Sequence, residues 1–387
     1  MLAVIPCSLY GTTGDSINEA QLLEALASRV GTIIVFSLSR IGKVNHHRQI
    51  PSNMVLINLP IVPFLGVISM VLYSLLISPI AYVLDRIWNF DLVYIRTPIL
   101  SFGFMLSKKM REKSIVKFPT FFEDELKLKG ITAKTVHRIF YLIDRVVLTR
   151  CKKVAVGSPL WIPKIEEKRN VHRPPSSYLL LPAGYNPKKM PKINNGRKSG
   201  EAESEAKMFR VGFLGSIVKW QGVDVLIKAM RIVQRKEPNT ELIIVGDGPL
   251  RNAIENLSKT LEVNCTITGN LPHDEALRLL STFDVMVLPR RRTTTTESTI
   301  PIKVIEAWAL GIPVIVTKHR VFLDSQIRDY EDVVYCEPEP NSVANAIYLL
   351  IANDKLRKKL ELNGPQLARR FDYERMAERL LKVFTVE

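Results

Sequence analysis

"FRVGFLGS" (209–216), "GVDVLIKAMRIVQRK" (222–236) and "TELIIVGDG" (240–248) follow one another with only short connections. The outer two are apolar runs that stop at glycine, the pattern of strands buried on both faces of a sheet. The middle one spaces its apolar residues as a helix does and gathers Arg and Lys at its end, where a helix carboxyl terminus favours positive charge. Strand, helix and strand in this order form one crossover unit of a parallel sheet.

The alternation continues downstream through "PLRNAIENLSKTL" (249–261), "CTITGNL" (265–271), "DEALRLLSTF" (274–283), "DVMVLP" (284–289), "PIKVIEAWAL" (301–310) and "PVIVT" (313–317). Upstream, strand-like runs at 2–8, 32–38, 91–96, 114–118 and 153–156 alternate with helical ones at 17–29, 64–87, 98–111 and 132–149. With 387 residues and 47% hydrophobic content, the chain exceeds what one core usually supports. The expected class is therefore α/β: two doubly wound, Rossmann-like domains facing across a cleft. The expected boundaries are 1–190 for the first domain, 191–208 for a polar linker and 209–365 for the second domain. The amphipathic end "QLARRFDYERMAERLLKVF" (366–384), within a closing segment 366–387, has no following strand, and it is expected to pack back across the two domains.

Positive charge is concentrated in the middle of the chain. Of a formal net charge of +16, residues 87–190 contribute 20 Lys and Arg against 8 Asp and Glu. That segment suits an anionic surface such as phospholipid, polyprenyl phosphate or nucleic acid. Just before it, no charged residue occurs between Arg48 and Asp85, and "FLGVISMVLYSLLISPIAYVL" (64–84) is long enough to cross a hydrocarbon core. Strand-like runs of one sheet flank it on both sides, so a helix in the membrane interface or on the domain surface is the favoured reading. A buried core helix and a true span are the alternatives.

The four cysteines, Cys7, Cys151, Cys265 and Cys336, form no CxxC pair. This spacing points to a reduced, cytosol-facing compartment without structural zinc. The start "MLAVIPCSLYG" has no basic n-region and reads as a first strand, not a signal peptide.

Chemistry is expected in two loops at strand ends of the second domain. In the first, Gly215, Ser216 and Lys219 precede a helix, so free amides and a lysine meet where an anion can sit; a plain turn with a solvated lysine is the alternative. In the second, "RRRTTTTEST" (290–299) leads into a helix, with Pro301 expected at its first position and the amides of Ile302 and Lys303 unpaired. Glu306 stands in an otherwise apolar stretch of that helix, and a carboxylate there needs a partner. Sugar hydroxyls and a surface pair with Lys303 are the two options.

Taken together, "GSIVKWQGVDVLIKA", "ELIIVGDGP", "ITGNLPHDEALRLLSTFDVMVLP" and "PIKVIEAWALGIPVIVT" resemble the nucleotide-sugar-binding domain of the retaining family 4 (group 1) glycosyltransferases. "ARRFDYERMAERLLKVF" is similar to that family's closing helix. The resemblance is strong over 209–387 and fainter before it. It implies the B-type glycosyltransferase fold, no metal at the catalytic centre, no cofactor beyond a nucleoside diphosphate sugar as co-substrate, and retention of the donor's anomeric configuration.

Residue by residue, Glu306 falls on the second glutamate of the family's ExxxxxxxE motif, which holds the ribose. The first glutamate's position, eight residues earlier, is Ser298, with Glu297 immediately before it; Glu297 is the favoured substitute. Thr299, Ile300 and Ile302 complete the donor loop. The family's arginine and lysine clamp on the diphosphate falls on Ser216 and Gln221 here, so Lys219, Lys303 and one of Arg290 to Arg292, Arg290 first, are expected to supply the charge. Glu297, Lys219 and Lys303 are thus the residues expected to carry catalysis. The resemblance assigns the base to the turn Gly269, Asn270 and Leu271. On the acceptor side it points to the small-residue loop Gly11 to Gly14 with Asp15, and to Glu123, for which capping of the next helix is the alternative.

The implied function is transfer of a hexose from a nucleotide sugar to a hydroxyl of a lipid-linked or glycan acceptor. The expected location is cytoplasmic, peripheral on the cytoplasmic face of an anionic membrane. A basic nucleic-acid-binding protein is disfavoured by the lack of binding motifs and aromatic interleaving, and no nucleic-acid partner is expected. A glycosyltransferase-like subunit without activity remains the other alternative, because of the altered clamp and glutamate spacing.

Overall fold

The computed structural model describes residues 1–9, 14–39, 50–60, 66–123, 134–191 and 208–385. They form two compact units, Met1–Pro182 with Tyr373–Glu387, and Ala183–Asp372.

The first unit is built on a seven-stranded sheet in the order β3-β2-β1-β4-β5-β6-β7. Its strands are β1 (Leu2–Ile5), β2 (Ile33–Ser39), β3 (Met54–Pro60), β4 (Val93–Ile95), β5 (Ser114–Phe118), β6 (Lys153–Val156) and β7 (Tyr178–Leu180). Every neighbouring pair is parallel. Strands β1, β4 and β5 are wholly buried, as runs covered on both faces must be. The helices of this unit are α1 (Gly14–Ala27), α2 (Gly66–Trp88), α3 (Pro98–Ser101), α4 (Lys108–Glu112), α5 (Lys134–Arg150) and α6 (Trp161–Arg169).

Several expectations change here. Strand β3, within the uncharged stretch before the long helix, was not foreseen; its alternation of buried and exposed residues is that of a sheet edge. The single helix expected over 98–111 is broken. The Ser107 backbone is extended and its hydroxyl caps α4 by accepting from the Met110 amide, while the Gly103 amide donates to Ser74 Oγ of α2 at 2.7 Å. α2 is neither buried all round nor isolated. Ser74, Ile77, Ala81 and Asp85 are covered, whereas Leu72, Leu76, Ile80, Val83, Ile87 and Trp88 are exposed. Lys109 and Lys113 pair with Asp85 at 2.7 and 3.0 Å and tie the end of α2 to α4.

The second unit has a six-stranded parallel sheet in the order β10-β9-β8-β11-β12-β13. The strands are β8 (Phe209–Leu214), β9 (Thr240–Val245), β10 (Cys265–Gly269), β11 (Val285–Leu288), β12 (Val314–Thr317) and β13 (Val334–Cys336). Its helices are α7 (Val223–Lys236), α8 (Arg251–Thr260), α9 (His273–Leu280), α10 (Ile302–Ala309), α11 (Arg320–Asp324), α12 (Pro340–Ala352) and α13 (Asp354–Ala368). α7 buries Val225, Leu226, Ala229, Met230 and Val233 at helical spacing, each contributing about 1–3 kcal/mol through removal from water.

The closing stretch is two helices, not one. After a 3-10 turn at Arg369–Phe371 the chain is extended at Asp372, and α14 (Tyr373–Thr385) joins the first unit. There Arg29 pairs with Glu374 and Glu378 on α14, and the Tyr373 hydroxyl bonds Asn18 on α1.

Candidate functional site

The strand order of the second sheet reverses between β8 and β11, and doubly wound sheets bind ligands outside their carboxyl ends at that point. The loops leaving these two strands, 215–222 and 289–301, meet there. Gly215 has φ +138° and Gly222 φ +72°. A β-carbon at Gly215 would run into Lys303 Nζ, and one at Gly222 into the Pro289 carbonyl, so glycine lets the first loop lie directly against the second. Arg291 fastens the two loops. Its amide donates to the Trp220 carbonyl at 2.9 Å, and its guanidinium donates to both oxygens of Asp224 at 2.9 and 2.7 Å and to the Lys219 carbonyl at 2.6 Å.

The stretch "RRRTTTTEST" is a self-bonded turn. Thr293 and Thr296 bond each other reciprocally, with the Thr293 amide 2.8 Å from Thr296 Oγ1 and the Thr296 amide 3.1 Å from Thr293 Oγ1. Ser298 is buried, and its hydroxyl donates to the Thr294 carbonyl at 2.8 Å. Glu297 turns toward the loop after β12. Its carboxylate accepts from His319 Nδ1 at 3.0 Å, from the Arg320 amide at the start of α11 at 2.7 Å, and from Arg292 Nη1 at 3.1 Å. Burial opposes its ionisation, but those donors outweigh it and hold the carboxyl below its ordinary value. Glu297, favoured in place of the family's first glutamate, thus already has its oxygens taken up by three donors. Arg292 is spent in the same way, on Glu297, Glu337 and the Lys318 carbonyl.

Arg290 and Lys303 are different. Both are buried, and among the described residues neither has a carboxylate within ion-pairing distance. Arg290 donates from Nη1 to the Thr299 carbonyl at 3.4 Å, and its Nε is buried with no partner. Burial pushes its pKa down to about 10, which leaves it charged at neutral pH. Lys303 reaches Gln221 Oε1 at 3.3 Å and lies over the Phe213 ring. Burial first, and Arg290 second, push its pKa well below the usual lysine value. Pro301 stands one place before the position expected for it, as the residue preceding α10, and the amides of Ile302 and Lys303 have no acceptor within the helix.

Glu306 is buried just over one turn into α10, and His273 Nε2 lies 2.8 Å from its Oε1, a pairing in which the imidazole donates. His273 opens α9 two residues after the turn Gly269, Asn270 and Leu271, so it links that turn to Glu306. The surface pair of Glu306 with Lys303 is not formed. Gly269 is in the left-handed region at φ +76°. Gly215, Ser216, Arg290, Thr299, Ile300, Ile302, Lys303 and Glu306 thus gather at the switch point. Lys219 is exposed, and there its recorded contact is the backbone carbonyl held by Arg291.

In the first unit, Gly14 opens α1 and Asp15 accepts from Arg96 Nη2 at 2.6 Å; Gly11 lies outside the described residues. The segment after Glu123, 124–133, lies outside the described residues, and Glu123 does not stand free for an acceptor. Buried, it receives Arg169 Nη2 on both oxygens at 2.6 and 2.8 Å, and Arg169 also holds Asp144. A buried pair of this kind fixes the chain segment that carries it. Reading the sequence also missed His273, His319 and the charged cluster of Arg96, Lys117 and Glu19, because each acquires its partner only through the fold.

Set against known proteins, residues 196–367 match the family model for glycosyl transferases group 1. The chain is 28% identical over 173 residues to an uncharacterised glycosyltransferase of Methanocaldococcus jannaschii, covering 44% of this chain and 46% of that one. It is 31% identical over 101 residues, 26% of each chain, to a GDP-mannose-dependent monoacylated alpha-(1-6)-phosphatidylinositol monomannoside mannosyltransferase of Corynebacterium glutamicum. These matches span less than half the length of the relatives. Sucrose-phosphate synthase from Thermosynechococcus elongatus superposes with a TM-score of 0.76 at 18% identity over 99% of this chain and 98% of that one. HepE from Anabaena, solved with UDP-glucose, superposes with a TM-score of 0.70 at 14% identity over 100% and 99%. Residues 196–367 therefore belong to the group 1 glycosyl transferases, carried by a chain with the two-domain B-type glycosyltransferase fold.

Proposed function

We propose that this protein is a retaining hexosyltransferase that takes its sugar from a nucleoside diphosphate donor bound by the second unit. The observation that carries the reading is Glu306: a buried carboxylate beside the switch point, joined through His273 to the turn 269–271, at the place where the family's ribose-binding glutamate falls. The transfer breaks the bond between the anomeric carbon and the diphosphate oxygen and forms one to the acceptor oxygen. The acceptor's proton passes to the departing diphosphate. The chain's contribution is to position the sugar and to stabilise charge growing on the diphosphate, through the amides of Ile302 and Lys303 and the nearby cations.

The acceptor is a lipid-linked sugar or glycolipid, met by the first unit at an anionic membrane surface. Two features support this. The outer face of α2 is an apolar stripe of Leu72, Leu76, Ile80, Val83, Ile87 and Trp88. α4, which is tied to the end of α2 through Asp85, also lines a concavity of about 510 Å³ edged by Lys108, Arg111, Arg150, Lys152 and one carboxylate, Glu112. The relative from Corynebacterium glutamicum named as acting on a phosphatidylinositol mannoside is in keeping with it.

Substituting Glu306→Ala is expected to lower transfer at least about a hundredfold, the loss of two charge-assisted hydrogen bonds to the ribose, while circular dichroism stays that of the parent. Donor turnover equal to the parent's would remove the assignment. Transfer by neither protein to any lipid-linked acceptor, with donor binding intact, would favour the inactive-subunit reading.

A further inference from the structure

Positive charge gathers at the amino edge of the first sheet, where α4 leads into β5 and α5 into the neighbouring strand β6. Lys108, Arg111 and Glu112 stand before the one strand, Arg150 and Lys152 before the other. The Lys152 amide donates to the Arg111 carbonyl at 3.1 Å and fastens the two lead-ins together. Between them lies the concavity of about 510 Å³ that these five side chains line. Doubly wound sheets meet their substrates outside the carboxyl ends of the strands, so this hollow is at the opposite edge of the sheet from the reaction. Its charge is only partly answered. Lys109 and Lys113 are matched by Asp85, and Glu112 lies 3.9 Å from Lys108. Among the described residues neither Arg111 nor Arg150 has a carboxylate within ion-pairing distance, and Arg111 Nε is buried with no acceptor. Water answers an exposed cation such as Lys108, but a buried donor without an acceptor is costly.

We propose that this concavity is a second anion site, which takes the phosphate of a phosphomonoester that is neither donor nor acceptor. It does not rest on the nucleotide-sugar reading. Guanidinium groups bind phosphate oxygens through planar, forked donors, and a monoester offers more free oxygens and more charge than a diester. A lipid headgroup and a small soluble molecule both supply that chemistry. The apolar stripe of α2 ends close by, since Lys113 holds both Asp85 and Asn89, the residue after the exposed Trp88. A headgroup held in the concavity can therefore stay in a bilayer that the stripe touches.

The test uses the full chain with glycerol 3-phosphate and, separately, phosphatidylcholine vesicles carrying phosphatidic acid or, at matched charge, phosphatidylglycerol. Binding is read by thermal shift and vesicle sedimentation at constant ionic strength, and its place by hydrogen exchange of 108–116 and 150–156. The protein is expected to gain protection in those two segments from the phosphomonoester and to prefer phosphatidic acid to phosphatidylglycerol. Arg111→Gln and Arg150→Glu are each expected to weaken that binding about tenfold or more, the loss of a charge-assisted contact, with binding of UDP, GDP and ADP unchanged. Arg150 is exposed, so its variant keeps the test valid even where Arg111→Gln fails to fold. Arg138→Gln combined with Arg145→Gln takes the same net charge as Arg150→Glu from exposed positions of α5 outside the concavity and should bind as the parent does. Protection by glycerol 3-phosphate assigns the site to a soluble ligand, and protection by phosphatidic acid vesicles alone assigns it to a lipid headgroup. Equal weakening by the Arg138 and Arg145 pair, or equal binding of monoester and diester lipids, would reduce the site to diffuse surface charge and overturn the inference. Protection confined to 215–222 and 289–306 would overturn it too, while leaving the nucleotide-sugar reading in place. Protection at 108–116 and 150–156 in a protein that binds no nucleotide would keep this site and remove the nucleotide-sugar reading alone.

Discussion

Glu19 shows how a single buried charge is held in the first unit. It is fully buried and accepts from Lys117 Nζ at 2.9 Å and the Tyr94 hydroxyl at 2.8 Å, with Arg96 Nε 3.1 Å away. Burial opposes its ionisation; Lys117 and Arg96 overcome that and lower its pKa. A carboxyl whose pKa is lower in the folded than in the unfolded chain stabilises fully above the ordinary glutamate value, and that contribution is lost as pH falls through the folded value. Glu19→Gln leaves two buried cations short of a partner and is expected to cost about 3–5 kcal/mol at pH 7. Its stability should also fall less steeply than the parent's between neutral and acid pH. Hydrogen exchange of the β1, β4 and β5 amides measures both, and a parent-like acid response in the variant would contradict the assignment. None of this cluster was legible beforehand, since Glu19, Tyr94, Arg96 and Lys117 sit on three separate segments that only the sheet brings together.

At the scale of elements, α2 poses the clearest question. Hydropathy alone made 64–84 long enough to span a membrane, and length and composition still qualify Ser69–Trp88. Packing divides the helix into a covered face and an exposed apolar one, which is the form of a helix that rests on a surface. Replacing Leu76 and Ile87 by Glu together is expected to remove most binding to vesicles containing anionic phospholipid, since each buried aliphatic side chain contributes about 1.5–3 kcal/mol to such contact. Unchanged vesicle binding by the double variant would mean that this face does not carry the interaction. α10 teaches a related lesson. Its start, its glutamate and its apolar face were readable from Pro301, Glu306 and the spacing of Val304, Ile305 and Trp308, but the partner of Glu306 was not, because His273 lies 33 residues away in the chain.

For the molecule as a whole, donor binding should act on one unit more than on the other. A nucleoside diphosphate sugar that binds the folded state at a hundred times its dissociation constant adds about 2.7 kcal/mol to the stability of the part that holds it. Hydrogen exchange should then slow first in 215–222, 269–273 and 289–306, with β1 to β7 following less or not at all. Equal protection of both sheets would argue against a site confined to the second unit.

Apart from strands such as β3 and the break between α3 and α4, the alternation of strands and helices, the parallel class of both sheets, the two loops at strand ends and the placing of Glu306 in an apolar helix were determined by the sequence itself. Apolar periodicity, glycine at strand ends and proline before α10 act over a few residues and need no distant partner. The tertiary structure decided which charges are matched. It gave Arg291 to Asp224, Arg292 and His319 to Glu297, and Arg169 to Glu123, and among the described residues it left Arg290 and Lys303 without a carboxylate within ion-pairing distance. Ion pairing depends on distances of a few ångströms between residues remote in the chain, and in the interior, where water does not screen, those distances set which cations are left for a ligand.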